Sequence, residues 1–257
     1  IEGVALSTAA WFNGEKFLTP IEGTIEHKKF LNDDLGPATG CSLNVVWFYE
    51  DYPEIAKELH FKALESFLRA SRAIPGLYDI NSLVGKDGNV YFLEFTPRFG
   101  YDSEPSAQQL LLMDLGDFWY YLTAGMLPES PFDTSRTAYS VRLTVPPYPT
   151  EEGLKLEGKG SSVGTGILGI SSLWEKNFVA YGIRESKQGL EVATPSGLVG
   201  LGIATGISIK EQHEEVMKYL KSTLQIPNIQ YRTDGFDTIT KDLEFLSHTP
   251  FKVKGLH

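Results

Sequence analysis

The apolar-rich stretch VALSTAAWF (4–12), the Asn13-Gly14 pair and the following EKFLTPI read as a β-hairpin. Asn-Gly supplies the positive φ angles of a tight turn. Next, EGTIEHKKFLNDDLGPATGCS (22–42) is polar, with two close turn signals in DDLGPATG. It reads as a long loop, a length uncommon unless the loop binds something. Apolar positions then recur every four residues at Ile55, Leu59, Ala63 and Phe67, widened by Leu64 and Leu68. This spacing predicts an amphipathic helix over 53–72, with Pro53 at its first position. Glu58→Lys62 and Glu65→Arg69 are favourable pairs on its wet face. His60, beside the stripe, reads as a surface or core-edge residue. GLYDINSLVGKDGNVYFLEF (76–95) reads as a second hairpin, turning on Asp87-Gly88. Residues 103–125 read as helical, burying Leu110, Leu111, Met113, Leu115 and Phe118.

The second half differs in character. AYSVRLTV is a strand ending at Pro146-Pro147, and GKGSSVGTGILGI, NFVAYGI and LEVATPSGLVGLGIATG read as Gly-spaced strands. Ser208 and Glu211 form a capping box opening the helix KEQHEEVMKYLKSTL. A short strand is expected near IQYRT. With SPFDTSRT (130–137) as a boundary, the expected units are 1–135 and 136–257, the second a small α+β module.

One charge breaks the pattern. Tyr91, Phe92, Leu93 and Phe95 read as a strand buried on both faces, yet Glu94 sits among them, and a lone buried carboxylate is costly. A two-residue Asp87-Gly88 loop pairs Lys86 with Asn89, which carries Asn81 opposite Glu94 and Asp79 opposite Thr96. Facing side chains project to the same side, ~5 Å apart. One face then holds Leu77, Asp79, Asn81, Leu83, Val90, Phe92, Glu94 and Thr96. The other holds Tyr78, Ile80, Tyr91, Leu93 and Phe95. The polar group is a set of oxygen donors with Arg98 just beyond. It suits a hard cation such as Mg²⁺ with phosphate, while a structural Glu94–Arg98 pair closing the strand end is the default reading from pattern alone.

Composition narrows the partners. The chain has 257 residues, 42% hydrophobic and 22% charged, which fits one or two soluble globular domains. A net charge of −10 argues against a nucleic-acid backbone as partner, although nucleotides need only a local positive patch. The sole cysteine, Cys41, excludes an intrachain disulfide, fits a reducing compartment and reads as a small buried residue. IEGVALSTAA lacks a signal-peptide pattern, and the Gly-broken GLVGLGIATGISI is too short to span a bilayer. A soluble, cytoplasmic protein without membrane partners is expected. The opening on a strand without Met leads to the expectation that this is the later portion of something longer. The glycines of GKGSSVGTGILG lack the Gly-Lys-Ser/Thr ending of a phosphate loop and read as strand and turn glycines. By residue type alone, His27, Lys28 and Lys29 are solvated polar groups, and His213 and Glu214 are bystanders on a wet helix face.

VYFLEFTPRFG resembles the metal-binding strand of the ATP-grasp ligases, whose usual pattern is Glu-x-Asn-x-Arg. More narrowly, VALSTAAWFNGEKFLTP, EHKKFLNDDLGPATG, KDGNVYFLEFTPRFG, ATPSGLVGLGIATGISIKEQHEEVMKYL and YRTDGFDTI are similar, in order, to segments of the phosphoribosylamine–glycine ligases. That resemblance covers nearly the whole chain. It implies an α+β fold: the later portion of an ATP-grasp antiparallel sheet with helices, followed by a small α+β C-terminal domain. It implies ATP-dependent, ADP-forming ligation of glycine to 5-phosphoribosylamine through an acyl phosphate, a step of purine biosynthesis, with Mg²⁺ or Mn²⁺. Glu94 maps onto a metal ligand and Thr96 onto the Asn that accompanies it, with Asn81 across the hairpin able to compensate. Arg98 maps onto the arginine near the reacting phosphoryl group. His27 and Lys28 map onto the nucleotide- and substrate-facing segment, and Gly36, Pro37, Thr39 and Gly40 onto the substrate loop. Cys41-Ser42-Leu43 departs from that loop's pattern, and Asp102 and Glu104 follow Gly100 with one residue more than usual. The first lobe of the ATP site is not among these matches, so a further portion or a companion chain is expected to complete it. A different acid or amine substrate, or a non-catalytic remnant, are the alternatives.

Overall fold

Among the residues that the computed structural model describes (1–51, 53–128, 130–150, 162–170 and 174–253), nine strands hydrogen-bond into one antiparallel sheet. They are β1 (Gly3–Phe12), β2 (Glu22–Leu31), β3 (Leu35–Phe48), β4 (Gly76–Gly85), β5 (Val90–Thr96), β6 (Thr137–Thr144), β8 (Trp174–Glu175), β9 (Phe178–Ala180) and β12 (Leu198–Gly206). Their order is β5-β4-β1-β2-β3-β6-β12-β9-β8, so β5 is an edge. β7 (Gly166–Ile167), β10 (Ile183–Ser186) and β11 (Gly189–Val192) make a small sheet of order β10-β11-β7. Sheet pairing continues across residue 135, since β3 pairs with β6 from Leu43↔Val141 to Trp47↔Thr137.

Alternation decides which side chains meet which helices. On one face, Leu6, Ala10 and Phe12 of β1, Leu43, Val45 and Trp47 of β3, and Tyr139, Val141 and Leu143 of β6 form the main core. The helices α1 (Glu54–Lys57), α2 (Glu65–Ala70), α5 (Ile209–Ser222) and α6 (Gly235–Ser247) contribute Ala56, Leu68, Val216, Leu220, Ile239 and Leu246 to it. On the other face, Ala9, Trp11, Val46, Phe48, Leu77 and Ala138 pack with Ala107 of α3 (Ser103–Gln108) and Phe118 of α4 (Leu115–Ala124). This second core is shorter, and the rest of its face is polar.

Several expectations need correction. The stretch 22–42 is a long hairpin rather than a loop: β2 runs to Leu31, turns at 32–34 and returns as β3. Asp33 and Asp34 take positive φ there (57° and 51°), the short-side-chain behaviour that makes such sequences look like loops. The helix over 53–72 is interrupted by a π-helical turn at Glu58–Lys62, which rotates the face that follows. The buried positions are therefore Ala56, His60 and Leu68, while Phe67 is exposed. His60 is a core residue whose Nε2 lies 2.9 Å from the Thr8 carbonyl; burial, partly offset by that contact, lowers its pKa to about 4. Lys62 pairs with Glu58 as expected, but Glu65 instead accepts from the Phe17 amide (2.9 Å).

The 103–125 stretch forms two helices, with Leu110 and Phe118 buried and Leu115 exposed. EKFLTPI is no strand; Phe12 and Phe17 merely bridge around a turn organised by the Asn13 side chain. The capping box holds, with the Glu211 amide donating to Ser208 Oγ (3.3 Å). Near IQYRT the expected strand reduces, among the described residues, to one bridge between Gln230 and Thr144, and α6 follows. His213 is not a bystander: its Nδ1 lies 3.0 Å from the Tyr139 hydroxyl. Most of the GKGSS run lies outside the described residues.

Candidate active site

The β4–β5 hairpin pairs Asn81 with Glu94 and Asp79 with Thr96, as its turn predicts, but by a different route. Gly85 rather than Lys86 faces Asn89 at the turn, and a bulge at Leu93 restores the register farther on. The bulge moves Phe92 off the face that carries Glu94 and pairs it with Ser82 instead. Nor is β5 buried on both faces. As an edge strand it leaves Phe92 60% and Leu93 55% exposed, and Glu94 is exposed too. The apolar neighbours of Glu94 gave a false impression of burial.

From Glu94 the polar face extends inward across five strands. Asn81 faces Ser7, Ser7 faces Thr24, Asp79 faces Ala9, Ala9 faces Glu22, and Glu26 faces Asn44, which faces Ser140. Asp79 is the hub at the β5 end. It accepts from Ser7 Oγ, from Asn81 Nδ2 (2.9 Å) and from Thr96 Oγ1 (2.9 Å). Burial raises its pKa, and these three donors and Arg98 oppose the rise. A carboxylate only accepts, so Asn81 must turn its NH₂ toward Asp79, and that NH₂ also reaches Thr96 Oγ1 (3.2 Å). Among the described residues no hydrogen bond reaches Asn81 Oδ1, on the strand position facing Glu94. Among the described residues no hydrogen bond or ion pair engages the Glu94 carboxylate. The alternative Glu94–Arg98 pair does not form; Arg98 is exposed and donates to its neighbour's carbonyl, Phe99 O (3.0 Å).

This donor set fits a hard divalent cation arriving with a polyphosphate. Mg²⁺ takes one or two carboxylates and keeps its remaining positions for water and phosphate oxygens. Glu94 and Asn81 Oδ1 are oxygen donors of that kind, and Thr96 Oγ1 keeps one lone pair after accepting from Asn81. Among the described residues no three His, Cys, Asp or Glu side chains gather as a metal cage.

Deeper along the face lie two carboxyls that residue patterns did not single out together. Glu22 (2% exposed) feels the charge of Glu104 of α3 (8% exposed), and among the described residues neither Oε2 has a hydrogen-bond partner. Burial first, then Glu104, raises the Glu22 pKa well above the carboxylate range, while burial pushes Glu104 up to about 7 despite Gln108. Glu26 rises to about 7, chiefly by burial, with Lys28 opposing. The period-two run Glu22-Thr24-Glu26, flanked by Ile21 and Ile25, was the available signal; the turn residues after it masked it.

No protein-family model matches the chain, and no curated protein matches it in sequence. Solved structures do. A phosphoribosylamine–glycine ligase from Thermotoga maritima superposes with a TM-score of 0.69 at 20% identity, covering 91% of this chain and 56% of its own. The biotin carboxylase subunit of a pyruvate carboxylase gives 0.52 at 10%, covering 93% and 54%. The chain carries a partial ATP-grasp fold. A phosphoribosylglycinamide synthetase from Anaerococcus prevotii agrees, at 0.51 and 12%, covering 88% and 53%. The chain thus spans about half the length of the ATP-grasp structures it matches. No helix among the described residues is long and apolar enough to cross a membrane.

Within this ATP-grasp sheet the predicted site residues separate. Glu94, Thr96 and Asn81 come together, with Arg98 at the strand's end. His27 and Lys28 point to opposite sides of β2. Lys28 is exposed on the side of Glu26, whereas His27 faces α6. Its Nδ1 lies 3.0 Å from Asp34 and its Nε2 2.9 Å from Asp242. Burial disfavours the imidazolium, but the two carboxylates outweigh it and hold the pKa above the ordinary 6.5. The stability from this contact is present below pH 6.5 and lost as pH rises through the raised value. His27→Gln is therefore expected to lower stability by about 1 kcal/mol at pH 6 and by less at pH 9, read from urea melts.

Gly36, Pro37, Thr39 and Gly40 lie in the outer end of β3 and are mostly exposed, with Gly36 at a left-handed φ of 79°. Thr39 Oγ1 joins this strand to β2 through Lys28 O (2.9 Å) and contacts Ser42 Oγ (2.9 Å). The hairpin tip docks on the segment before α6: buried Arg232 binds Asp34 (2.6 Å) and Asp234 (2.6 Å), and Asn32 Nδ2 donates to Thr233 (2.8 Å). A groove of about 610 Å³ opens beside it, lined by Phe30, Leu31, Leu35, Ile229 and Tyr231, with Asp33 the one charged residue among its described lining.

Proposed function

We propose that the complete protein is an ATP-dependent carboxylate–amine ligase, ADP-forming, of the type that joins glycine to 5-phosphoribosylamine. One observation carries the reading: Glu94 and Asn81 face each other at the edge of a sheet with a partial ATP-grasp fold, beside an exposed arginine. Glu94 and Asn81 Oδ1 would hold Mg²⁺ or Mn²⁺, with Thr96 Oγ1 beside them. When bound, the cation neutralises phosphate charge. Asp79 fixes the Asn81 amide and the Thr96 hydroxyl in the orientation that leaves oxygens outward. Arg98 offers a guanidinium to the transferred phosphoryl group, where charge stabilisation contributes most. The amine then attacks the carbonyl carbon of the acyl phosphate, forming the amide C–N bond as the C–O bond breaks and phosphate leaves. Since the chain spans about half of the structures it resembles, the triphosphate and base require a further portion or a companion chain.

The altered segment favours a second reading within the same chemistry. Cys41 and Ser42 are buried, and the Arg142 guanidinium fills the space beside Gly40. That surface suits a different acid or amine. The test is Mg²⁺-dependent ADP release by the complete protein with a panel of acids and amines. ADP with glycine and phosphoribosylamine supports the first reading, and ADP with another pair alone supports the second. No ADP at high enzyme concentration with any pair counts against both.

A further inference from the structure

An ion pair that neither the metal site nor the substrate segment accounts for lies between them. Arg142 on β6 donates Nε–H to Asp102 Oδ2 (2.9 Å) and Nη2–H to Oδ1 (2.8 Å), a two-pronged contact. Both side chains are almost wholly buried, at 5% and 1% exposure. The pair is fully dressed. Nη1 donates to the Tyr148 hydroxyl (3.1 Å), and the Tyr101 ring lies 5.4 Å from the guanidinium. The Tyr181 hydroxyl donates to Tyr101 O (3.1 Å) and lies 3.4 Å from Asp102 Oδ1.

A buried ion pair is a poor source of net stability, because desolvating two charges offsets their attraction. Its geometry is informative instead. Asp102 stands four residues after Arg98, on the connection from β5 to α3. Arg142 stands on β6, five strands away from β5 in the sheet. Ser106, one turn on, repeats the tie by hydrogen bonding to Asn44 (3.2 Å) and Ser140 (3.1 Å). The connection carrying Arg98 is therefore pinned across the polar face at its far end. A Cβ placed on Gly40 would lie 3.6 and 3.8 Å from Arg142 Nη1 and Nη2, so the same guanidinium also abuts the 36–40 segment.

We infer that Arg142, acting through Asp102, is a positioning residue that holds the 97–102 connection so that Arg98 stands at the Asp79–Glu94 end of the sheet. The catalytic consequence rests on the ligase reading; the mechanical one does not. A two-pronged guanidinium–carboxylate contact fixes orientation as well as distance, which a lysine at the same place does not do.

Two measurements on the complete protein test this. Asp102→Asn/Arg142→Met removes both charges, so neither is left buried alone, and Arg142→Lys keeps the charge without the fork. Amide hydrogen exchange is expected to quicken at least about 10-fold over 97–108 in the double variant, with β1–β4 unchanged. Unchanged exchange there in both variants overturns the inference. For ADP formation, kcat is expected to fall by about 100-fold in the double variant, with the KM for ATP within about two-fold, the scale of a 1 Å misplacement. Adding Arg98→Ala to it is expected to cost far less than Arg98→Ala costs alone, because both changes disable the same group. Fully multiplicative losses overturn the claim that Arg142 acts on Arg98. If the unaltered protein forms no ADP, the ligase reading fails, while hydrogen exchange still decides the positioning of 97–102.

Discussion

Glu94→Ala is expected to reduce Mg²⁺-dependent ADP formation by the complete protein roughly a thousand-fold or more, the scale on which groups stabilising developing charge contribute. The change is also expected to leave the fold intact. Glu94 lies on an edge strand, is exposed and makes no side-chain hydrogen bond or ion pair among the described residues. Its removal opens no cavity and strands no buried partner, so the thermal midpoint should move little. Few positions separate function from folding so cleanly. Full activity in Glu94→Ala would remove the metal assignment. A large drop in thermal midpoint would show that Glu94 carries structure rather than chemistry.

The second large effect is on stability, and it runs opposite to the usual behaviour of carboxylates. Glu104 is raised from 4.5 to about 7 by burial, with Gln108 opposing. It binds its proton more tightly folded than unfolded, so folding takes up protons between these values. The stability it contributes is complete below pH 4.5 and lost as pH rises through about 7. Glu22 and Glu26 are shifted in the same direction, and Asp79 adds to the repulsion at Glu22. For Glu104 alone the linkage is of order 3 kcal/mol. Glu104→Gln keeps a carbonyl for Gln108 and cannot ionise. It is expected to be more stable than the unaltered protein at pH 8 by a few kcal/mol, with the gap closing by about pH 5. Urea melts across that range read this directly. An equal gap at pH 5 and pH 8 would mean that Glu104 does not titrate where burial places it.

Local features carried much of the Glu94 site. The Asp87-Gly88 turn and the strand pattern around it put Asn81 opposite Glu94 and Asp79 opposite Thr96, and the folded chain has those pairs. They survive because two departures cancel, a longer turn and a bulge at Leu93. The same bulge moved Phe92 to the wrong side of the expectation. The 22–42 hairpin was illegible for a related reason. Asp33, Asp34, Gly36 and Pro37 are turn-forming residues, and nothing local shows that the strands continue past them. Arg142 and Asp102 were out of reach, because their partnership joins positions 40 residues apart in sequence.

Chain patterns determined that this is an α+β chain built on hairpins, that one of these hairpins sets Asn81 opposite Glu94, and that Ser208 opens a helix. Each follows from interactions within a few residues: a turn, a cap, a side-chain period. Tertiary structure alone decided that β5 is an edge and Glu94 exposed, that His27 faces α6, and that Glu22 and Glu104 share a buried face. It also decided that Arg142 pins the Arg98 connection. Periodicity tells which residues share a side of a strand. Only the assembled sheet says which strand is last and which side is covered, and burial, pKa and ion pairing all follow from that.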